Sequence, residues 1–222
     1  MHHIKNWSIP TALSPPEPQQ LHLWQIDLAT GSRDLHTLLS TDEQERAQRY
    51  LSDQDRNRFI RTRSAVRTIL GNYLAVPPQD LEFVYGLHGK PFICFPASVL
   101  AFNLSHTGNL ALLAVSRETA IGIDLEQLRE KPNTLAIANR VFAPPIQEEL
   151  AGYKGDQLTQ AFFHYWTALE ARTKALGNGI FSNRCGTRDA ALEIQHFSPG
   201  EGLIAAIAME QTPPFDAWET YQ

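Results

Sequence analysis

The sequence of 222 residues has only two cysteines, Cys94 and Cys185, and their spacing fits neither a metal site nor a disulfide framework. We therefore predict two buried, reduced thiols, which is typical of a cytosolic protein. Long apolar segments are also missing, since the longest runs, 110–115 and 203–209, are far too short to span a bilayer. No signal-peptide pattern is present. The sequence thus predicts a soluble, cytoplasmic protein with no membrane partner.

Positive charge is scarce. The formal net charge is -5, whereas affinity for the phosphates of nucleic acids comes from clustered lysine and arginine. We therefore expect no nucleic-acid partner, although a few local cations could still hold a small anionic ligand. Hydrophobic residues make up 43% of the chain. This content is enough for the core of one large domain or of two smaller lobes.

Hydrophobic periodicity predicts alternating strands and helices after a proline-rich, extended lead-in over 1–20. Helices are expected from 41, after Ser40 as N-cap, and over 55–74, 135–141, 146–151 and 157–176. Strands are expected at 21–28, 81–85, 91–95, 102–105, 110–116, 120–126, 190–196 and 202–210. Both long helices close on Leu-Gly-Asn, at 70–72 and 176–178. This echo favours an α+β fold of two similar α/β lobes, 21–118 and 119–222, with a site in the crevice between them.

The segment Ile121–Glu126 alternates apolar and polar residues as a strand does, so Asp124 and Glu126 share one face. No basic residue lies between them. Two interpretations stay open at this point. The face is either solvated, or it presents two carboxylates to Mg²⁺, which binds one or two carboxylates together with phosphate oxygens.

A second polar group lies on the helix predicted over 157–176. Trp166, Glu170 and Lys174 recur at intervals of four, on one face of that helix. They border an apolar stripe predicted to consist of Phe162, Tyr165, Leu169 and Leu176. Glu170 and Lys174 could form an ordinary surface ion pair. A border position also suits the wall of a cleft, where a carboxylate binds metal or takes a proton and a lysine neutralises phosphate.

Two further segments carry polar groups that suit an anion. Gly86–Pro91 is no Walker motif, because Pro91 follows the lysine, and it is better described as a turn that displays Lys90. Taken alone, Lys90 could equally be a solvated turn residue. Ser105 and His106 are adjacent in a predicted strand and so point to opposite faces, which excludes a hydrolase nucleophile–base pair. Each could instead contact an anion.

Four segments, in this order, carry a resemblance to one family. Gly89–Pro91, Phe102–His106, Ile121–Glu126 and Trp166–Lys174 together resemble the motifs of the 4′-phosphopantetheinyl transferase superfamily, in its monomeric, surfactin-synthetase-activating form. The resemblance extends over about 21–210, and the chain length fits the two-lobed, pseudo-dimeric members. It implies transfer of phosphopantetheine from coenzyme A to a serine of an apo acyl or peptidyl carrier protein, with release of adenosine 3′,5′-bisphosphate.

The resemblance also implies the catalytic and metal-binding residues. Asp124, Glu126 and Glu170 would surround Mg²⁺, or Mn²⁺ in its place, on the pyrophosphate. The carrier serine would attack the β-phosphorus of coenzyme A in line, with Glu170 as general base and Lys174 stabilising or protonating the leaving bisphosphate. One position departs from the family, because Leu169 stands where a lysine often precedes the glutamate.

Coenzyme A binding is implied for a further set of side chains. Lys174 and His106 would meet the phosphates, and Lys90, Ser105 and Arg67 would hold the 3′-phosphate and its surroundings. Local cations of this kind would let an acidic protein accept a ligand with several negative charges. Two other functions are compatible with the same residues: a non-catalytic coenzyme A or nucleotide-binding module, and a divalent-metal phosphohydrolase.

Overall fold

The computed structural model describes residues 1–29, 33–117, 120–177 and 192–222. In chain order the elements are β1 (His2–His3), β2 (Leu21–Asp27), α1 (Thr41–Gln48), α2 (Asp53–Leu74), β3 (Glu82–Tyr85), β4 (Pro91–Phe95), β5 (Leu100–Thr107), β6 (Leu110–Arg117), β7 (Gly122–Gln127), α3 (Thr134–Val141), α4 (Pro144–Ala151), α5 (Gly155–Leu176), β8 (Glu193–Ser198), β9 (Leu203–Met209) and β10 (Trp218–Tyr221). Short 3₁₀ helices occupy Arg33–Leu38, Pro78–Asp80 and Phe215–Ala217.

Local signals in the sequence account for the ends of the helices in the N-terminal half. Ser40 precedes α1, and its backbone N–H donates to the Glu43 carboxylate at 3.3 Å, as in a capping box. Ser52 caps α2 by accepting from the backbone N–H of Asp55 at 3.4 Å. That helix ends at Leu74, and the next residue, Ala75, adopts the left-handed conformation shortly before two prolines.

The fold consists of two lobes with the same connectivity, which confirms the predicted pair of α/β lobes. The N-terminal sheet has the order β10-β2-β6-β5, and the C-terminal sheet has the order β1-β8-β9-β7. In the N-terminal sheet β6 pairs antiparallel with both β2 and β5, and in the C-terminal sheet β9 pairs antiparallel with both β7 and β8. The last strand in the chain order of each set of three is thus the central one. Each lobe also contains one helix of 22 residues, α2 or α5.

The terminal strands cross between the lobes. β1 pairs in parallel with β8 of the C-terminal sheet, and β10 pairs in parallel with β2 of the N-terminal sheet. The lead-in therefore includes a short strand in addition to its extended segment, and the last strand completes the N-terminal sheet. The boundaries 21–118 and 119–222 stay a prediction for the remaining elements.

The two sheets pack face to face on one shared core. Its buried members are Leu21, Leu23, Leu112, Ala114, Ile121, Ile123, Leu125, Phe197, Ala205, Ile207 and Met209. On the far face of β7, α5 approaches so closely that a Cβ on Gly122 would lie 2.0 Å from the carbonyl oxygen of Ala171. Glycine is therefore required at this position. The close approach sets the distance between the site residues on β7 and those on α5.

Several sequence predictions need correction. Cys94 is exposed on β4, so its predicted burial was wrong, and Cys185 and residues 190–191 lie outside the described residues. The stripe predicted for α5 is also only partly right, because Phe162 is buried but Tyr165 and Leu169 are half-buried. The buried face of α5 consists of Phe162, Phe163, Thr167, Ala171, Thr173 and Ala175. No helix among the described residues is long and apolar enough to cross a membrane.

Candidate active site

The site begins where the edge strands of the two lobes meet. Side chains of β5 take up backbone N–H groups of β7. Asn103 Oδ1 accepts from Ile123 at 2.9 Å, and Ser105 Oγ accepts from Leu125 at 3.2 Å. We call the junction of β5 and β7 the seam. These side-chain bonds replace a regular backbone ladder there and bring Asp124 of β7 against Ser105 of β5. The predicted crevice between the lobes is therefore the place where the polar motifs converge.

Asp124 is the centre of this group. Its side chain is only 6% exposed, and its Oδ1 accepts from the Ser105 hydroxyl at 3.0 Å and from Lys174 Nζ at 2.8 Å. Its Oδ2 is buried and has no hydrogen-bond partner. A buried carboxylate oxygen without a partner costs free energy, so a group that supplies positive charge or a donor would be bound favourably there.

The other two predicted carboxylates lie close to Asp124. Trp166 Nε1 donates to Glu126 Oε1 at 3.1 Å, so this face of α5 is directed toward Glu126 on β7. Burial and the charge of Asp124 raise the pKa of Glu126, against the influence of Lys131. Burial and the charge of Asp124 likewise raise the pKa of Glu170. The acids therefore repel one another electrostatically, which is the condition that a bound cation would relieve.

The donor chemistry of this group fits Mg²⁺. Within the described ranges, no three side chains of the His, Cys, Asp or Glu type are arranged as a ready-made metal cage. Mg²⁺ does not need such a cage, because it keeps several waters and binds through one or two carboxylates together with phosphate oxygens. The unpartnered Asp124 Oδ2 is the oxygen most suited to bind it, with Glu126 next on the same strand face.

Lys174 does not form the surface pair with Glu170 that helical spacing allowed. Its ammonium reaches across to the seam and donates to Asp124 Oδ1, to Ser105 Oγ at 3.1 Å and to the carbonyl oxygen of Ile123 at 3.1 Å. The three N–H groups of the Lys174 ammonium therefore have three oxygen acceptors. The structure gives Lys174 a role in holding α5 against β7, beside any contact with phosphate.

Arg67 lies away from this group. Its guanidinium is 2% exposed and pairs with Glu43, with Nε 2.5 Å from Oε2. Nη1 donates to the carbonyl oxygens of Pro78 at 2.9 Å and Leu81 at 2.8 Å. The phosphate-binding role of Arg67 stays a prediction that these contacts do not favour, because the charge is already neutralised inside the N-terminal lobe.

A cavity of about 320 Å³ lies beside His106. Its lining includes three arginines, Arg46, Arg58 and Arg63, together with His106 and one carboxylate, Asp55, which pairs with Arg58 at 3.3 Å. Burial and the positive charges of Arg58 and Lys174 lower the pKa of His106. His106 therefore lines the cavity and also lies within electrostatic range of Lys174 at the junction of β5 and β7.

The arginines of this cavity were missed by the sequence reasoning. A visible signal existed, since the arginines of the chain concentrate between 46 and 67 while the whole chain is acidic. A larger cavity of about 550 Å³ is lined by Asp42, Glu82 and the already paired Arg67. Two carboxylates and one arginine make this lining less suitable for a phosphate ligand than that of the cavity beside His106, which has three arginines and one carboxylate.

Like the arginines of the cavity, Lys131 is a cation near the site that the sequence did not indicate. Its ammonium lies 4.7 Å from the ring centroid of Phe163 and 5.6 Å from that of Trp166. Its charge lowers the pKa values of Glu126 and Glu170, against the raising effect of burial. Aromatic faces hold a cation weakly, so Lys131 supplies positive charge near the acids without a carboxylate partner within ion-pair distance among the described residues.

Comparisons with known proteins point to one family. The model of the 4′-phosphopantetheinyl transferase superfamily matches residues 120–218, and the model of the N-terminal part of 4′-phosphopantetheinyl transferase matches residues 28–118. The 4′-phosphopantetheinyl transferase HetI of Nostoc sp. is 43% identical over 72% of this chain and 70% of that protein. A putative 4′-phosphopantetheinyl transferase of Synechocystis sp. is 41% identical over 74% and 67%, and Sfp of Bacillus subtilis is 30% identical over 65% and 62%.

Proposed function

The chain belongs to the 4′-phosphopantetheinyl transferase superfamily, and on that premise we propose that it transfers 4′-phosphopantetheine from coenzyme A to a serine of an apo carrier protein. The observation that carries the proposal is the partnerless Asp124 Oδ2, in a group of three carboxylates next to an arginine-lined cavity. Cations on one side and acids on the other suit a pyrophosphate that is bound with a metal ion.

Binding of coenzyme A divides between the two parts of the site. The cavity beside His106 accepts the nucleotide end, with its 3′-phosphate near the guanidinium groups of Arg46 and Arg58. The pyrophosphate reaches the seam between β5 and β7, near His106 and Lys174. This orientation leaves the pantetheine arm and its phosphorus nearest to the carboxylate group.

Asp124, Glu126 and Glu170 would hold Mg²⁺, which would supply positive charge to the phosphate oxygens of the pyrophosphate. The carrier serine oxygen forms the new bond to the β-phosphorus, and the bond from that phosphorus to the bridging oxygen breaks. Glu170 takes the serine proton, directly or through water, and its raised pKa suits a general base. Adenosine 3′,5′-bisphosphate leaves with the bond electrons, near Lys174 and His106.

The test is to incubate the protein with coenzyme A, Mg²⁺ and a panel of apo carrier proteins, and to weigh the carriers by mass spectrometry. We expect one phosphopantetheine to be added to a serine of at least one carrier, with one bisphosphate released per transfer. Bound coenzyme A without any turnover would indicate the non-catalytic module. Free phosphate without a modified carrier would indicate the phosphohydrolase.

A further inference from the structure

Lys90 connects the two lobes at the end of the active-site helix. It lies in the turn between β3 and β4 of the N-terminal lobe, but its ammonium donates to two carbonyl oxygens of the C-terminal lobe. One belongs to Ile121, directly before β7, and the other to Ala175 in the last turn of α5, each at 3.0 Å. These are the strand and the helix that carry the site residues.

The carbonyl oxygen of Ala175 lies at the end of α5, where a donor from outside the helix is favourable. The last carbonyls of an α-helix have no intrahelical partner. At the end of α5 the N–H of Gly177 serves Thr173 and Lys174, and the ammonium of Lys90 serves Ala175. A positive charge at the C-terminal end of a helix is also favourable for the helix dipole. Lys90 thus caps α5 from the opposite lobe.

The contact is enclosed. Burial lowers the pKa of Lys90 to about 8, and its Cδ would lie 3.8 Å from a Cβ on Gly177. On the adjoining surface, a Cβ on Gly122 would lie 2.4 Å from the backbone nitrogen of Ala175. Strand and helix are therefore already at closest approach where Lys90 holds them. A shift of either one would carry its site residues with it.

We propose that Lys90 is a positioning residue, whose ammonium fixes the end of α5 to the start of β7 and so keeps Glu170 and Lys174 aligned with Asp124. The inference concerns the reaction proposed above and rests on it for the catalytic readout. It differs from the 3′-phosphate contact that the family resemblance implies for Lys90, because here the ammonium already has two backbone acceptors.

The informative substitution is Lys90→Met, which keeps an apolar stem and removes the ammonium. Lys90→Arg is the matched control, since it keeps a charge and donors for the same carbonyls. For both variants, kcat and KM are measured with coenzyme A and with dephospho-coenzyme A. Hydrogen exchange of the backbone amides is measured over 121–126 and 170–177.

We expect Lys90→Met to lower kcat by roughly 10- to 100-fold, the order of effect of a small misplacement of catalytic groups. Exchange should accelerate in both segments, KM should stay within about twofold, and the preference for coenzyme A over its dephospho form should be unchanged. Lys90→Arg should recover part of kcat and of the protection.

Loss of the preference for coenzyme A, with exchange unchanged, would overturn the proposal and place Lys90 on the 3′-phosphate. Exchange unchanged in both segments together with normal kcat would also overturn it. If the wild-type protein transfers nothing to any carrier, the proposed function fails, whereas the exchange experiment still decides whether Lys90 fixes α5 to β7. A failure of the function and a failure of the positioning role are therefore distinguishable.

Discussion

Two buried ion pairs, one in each lobe, differ in how completely their atoms are satisfied. In the N-terminal lobe Glu43 has both oxygens occupied, by Arg67 at 2.5 Å and by Arg63 at 2.5 Å. At the seam, Asp124 pairs with Lys174 at 2.8 Å and leaves Oδ2 buried without a partner. A protein interior tolerates a paired charge when all its hydrogen bonds are made. The first pair is therefore complete as a structural unit, and the second is complete only with a ligand.

Mutations at the two ion pairs should therefore have different consequences. Loss of one arginine from the closed pair leaves one buried oxygen of Glu43 without its partner, so the cost falls on folding. Loss of charge at the open pair removes a binding group, so the cost falls on function. The four predictions below test this separation, from the largest expected effect to the smallest.

Asp124→Asn should reduce transfer below detection. The amide keeps the size of the carboxylate and a hydrogen-bonding oxygen for Lys174, but it loses the charge that attracts a cation to the open position. Transfer to an apo carrier is measured by mass spectrometry, and Mn²⁺ binding by paramagnetic resonance. A chelator should abolish the wild-type reaction in the same way. Full activity in the variant, or in the presence of the chelator, would contradict a metal role for the open pair.

Glu170→Gln should lower turnover by roughly 10²–10⁴ if Glu170 is the base, while affinity for coenzyme A changes little. A base acts when deprotonated, and because burial and Asp124 raise the pKa of Glu170, the wild-type rate should fall as pH decreases toward that raised value. The Gln variant should lack this decrease. Partial rescue of the variant by added Mg²⁺ would instead make Glu170 chiefly a metal ligand.

Arg67→Met should lower the free energy of unfolding by about 1–3 kcal/mol, because Glu43 keeps Arg63 but its buried Oε2 loses its hydrogen-bond donor. Chemical denaturation measures the loss. The double variant with Glu43→Gln should recover much of it, and KM for coenzyme A should change little in the folded fraction. A raised KM without loss of stability would return Arg67 to the 3′-phosphate role.

The sequence predicted the residues of β7 more completely than the contacts of α5. Alternation in Ile121–Glu126 correctly placed Asp124 and Glu126 on one face, since strand geometry is local. Spacing on α5 could not show that Lys174 turns to Asp124, because that choice depends on how closely Gly122 lets the strand approach the helix. The buried face of α5 was predicted only in part, at Phe162. Its contact residues near β7 are small, such as Ala171 and Ala175, and a stripe chosen from large apolar residues leaves them out.

Pairing between strands that are far apart in the chain could not be predicted from the sequence. The strand Trp218–Tyr221 joins the N-terminal sheet and His2–His3 joins the C-terminal one, and neither has a local pattern that names its neighbour. The N-cap Ser40 could be predicted because capping is local. The pairing of Glu43 with Arg67 depends on how α1 packs on α2. The same holds for Lys90, whose acceptors lie in the other lobe.

Lys131→Met should have the smallest effect, and its direction is opposite to that of the other site variants. The ammonium rests over Phe163 and Trp166, and its positive charge acts on Glu126 and Glu170. In the protein without metal it partly offsets the acids, and it therefore competes with an incoming cation. Its removal should tighten Mn²⁺ binding by about two- to fivefold, as expected for partly exposed charges worth up to about 1 kcal/mol.

The matched control for this prediction is Lys131→Arg, which keeps the charge and the aromatic contacts and should bind Mn²⁺ as the wild type does. Titrations at low and high salt add a second check, because the difference between the Met variant and the wild type should shrink as salt screens the charge. Weaker Mn²⁺ binding in Lys131→Met would mean that the lysine holds the aromatic wall and Glu126 in place. Lys131 would then contribute to the metal-binding position by fixing the geometry of the site and not by its charge.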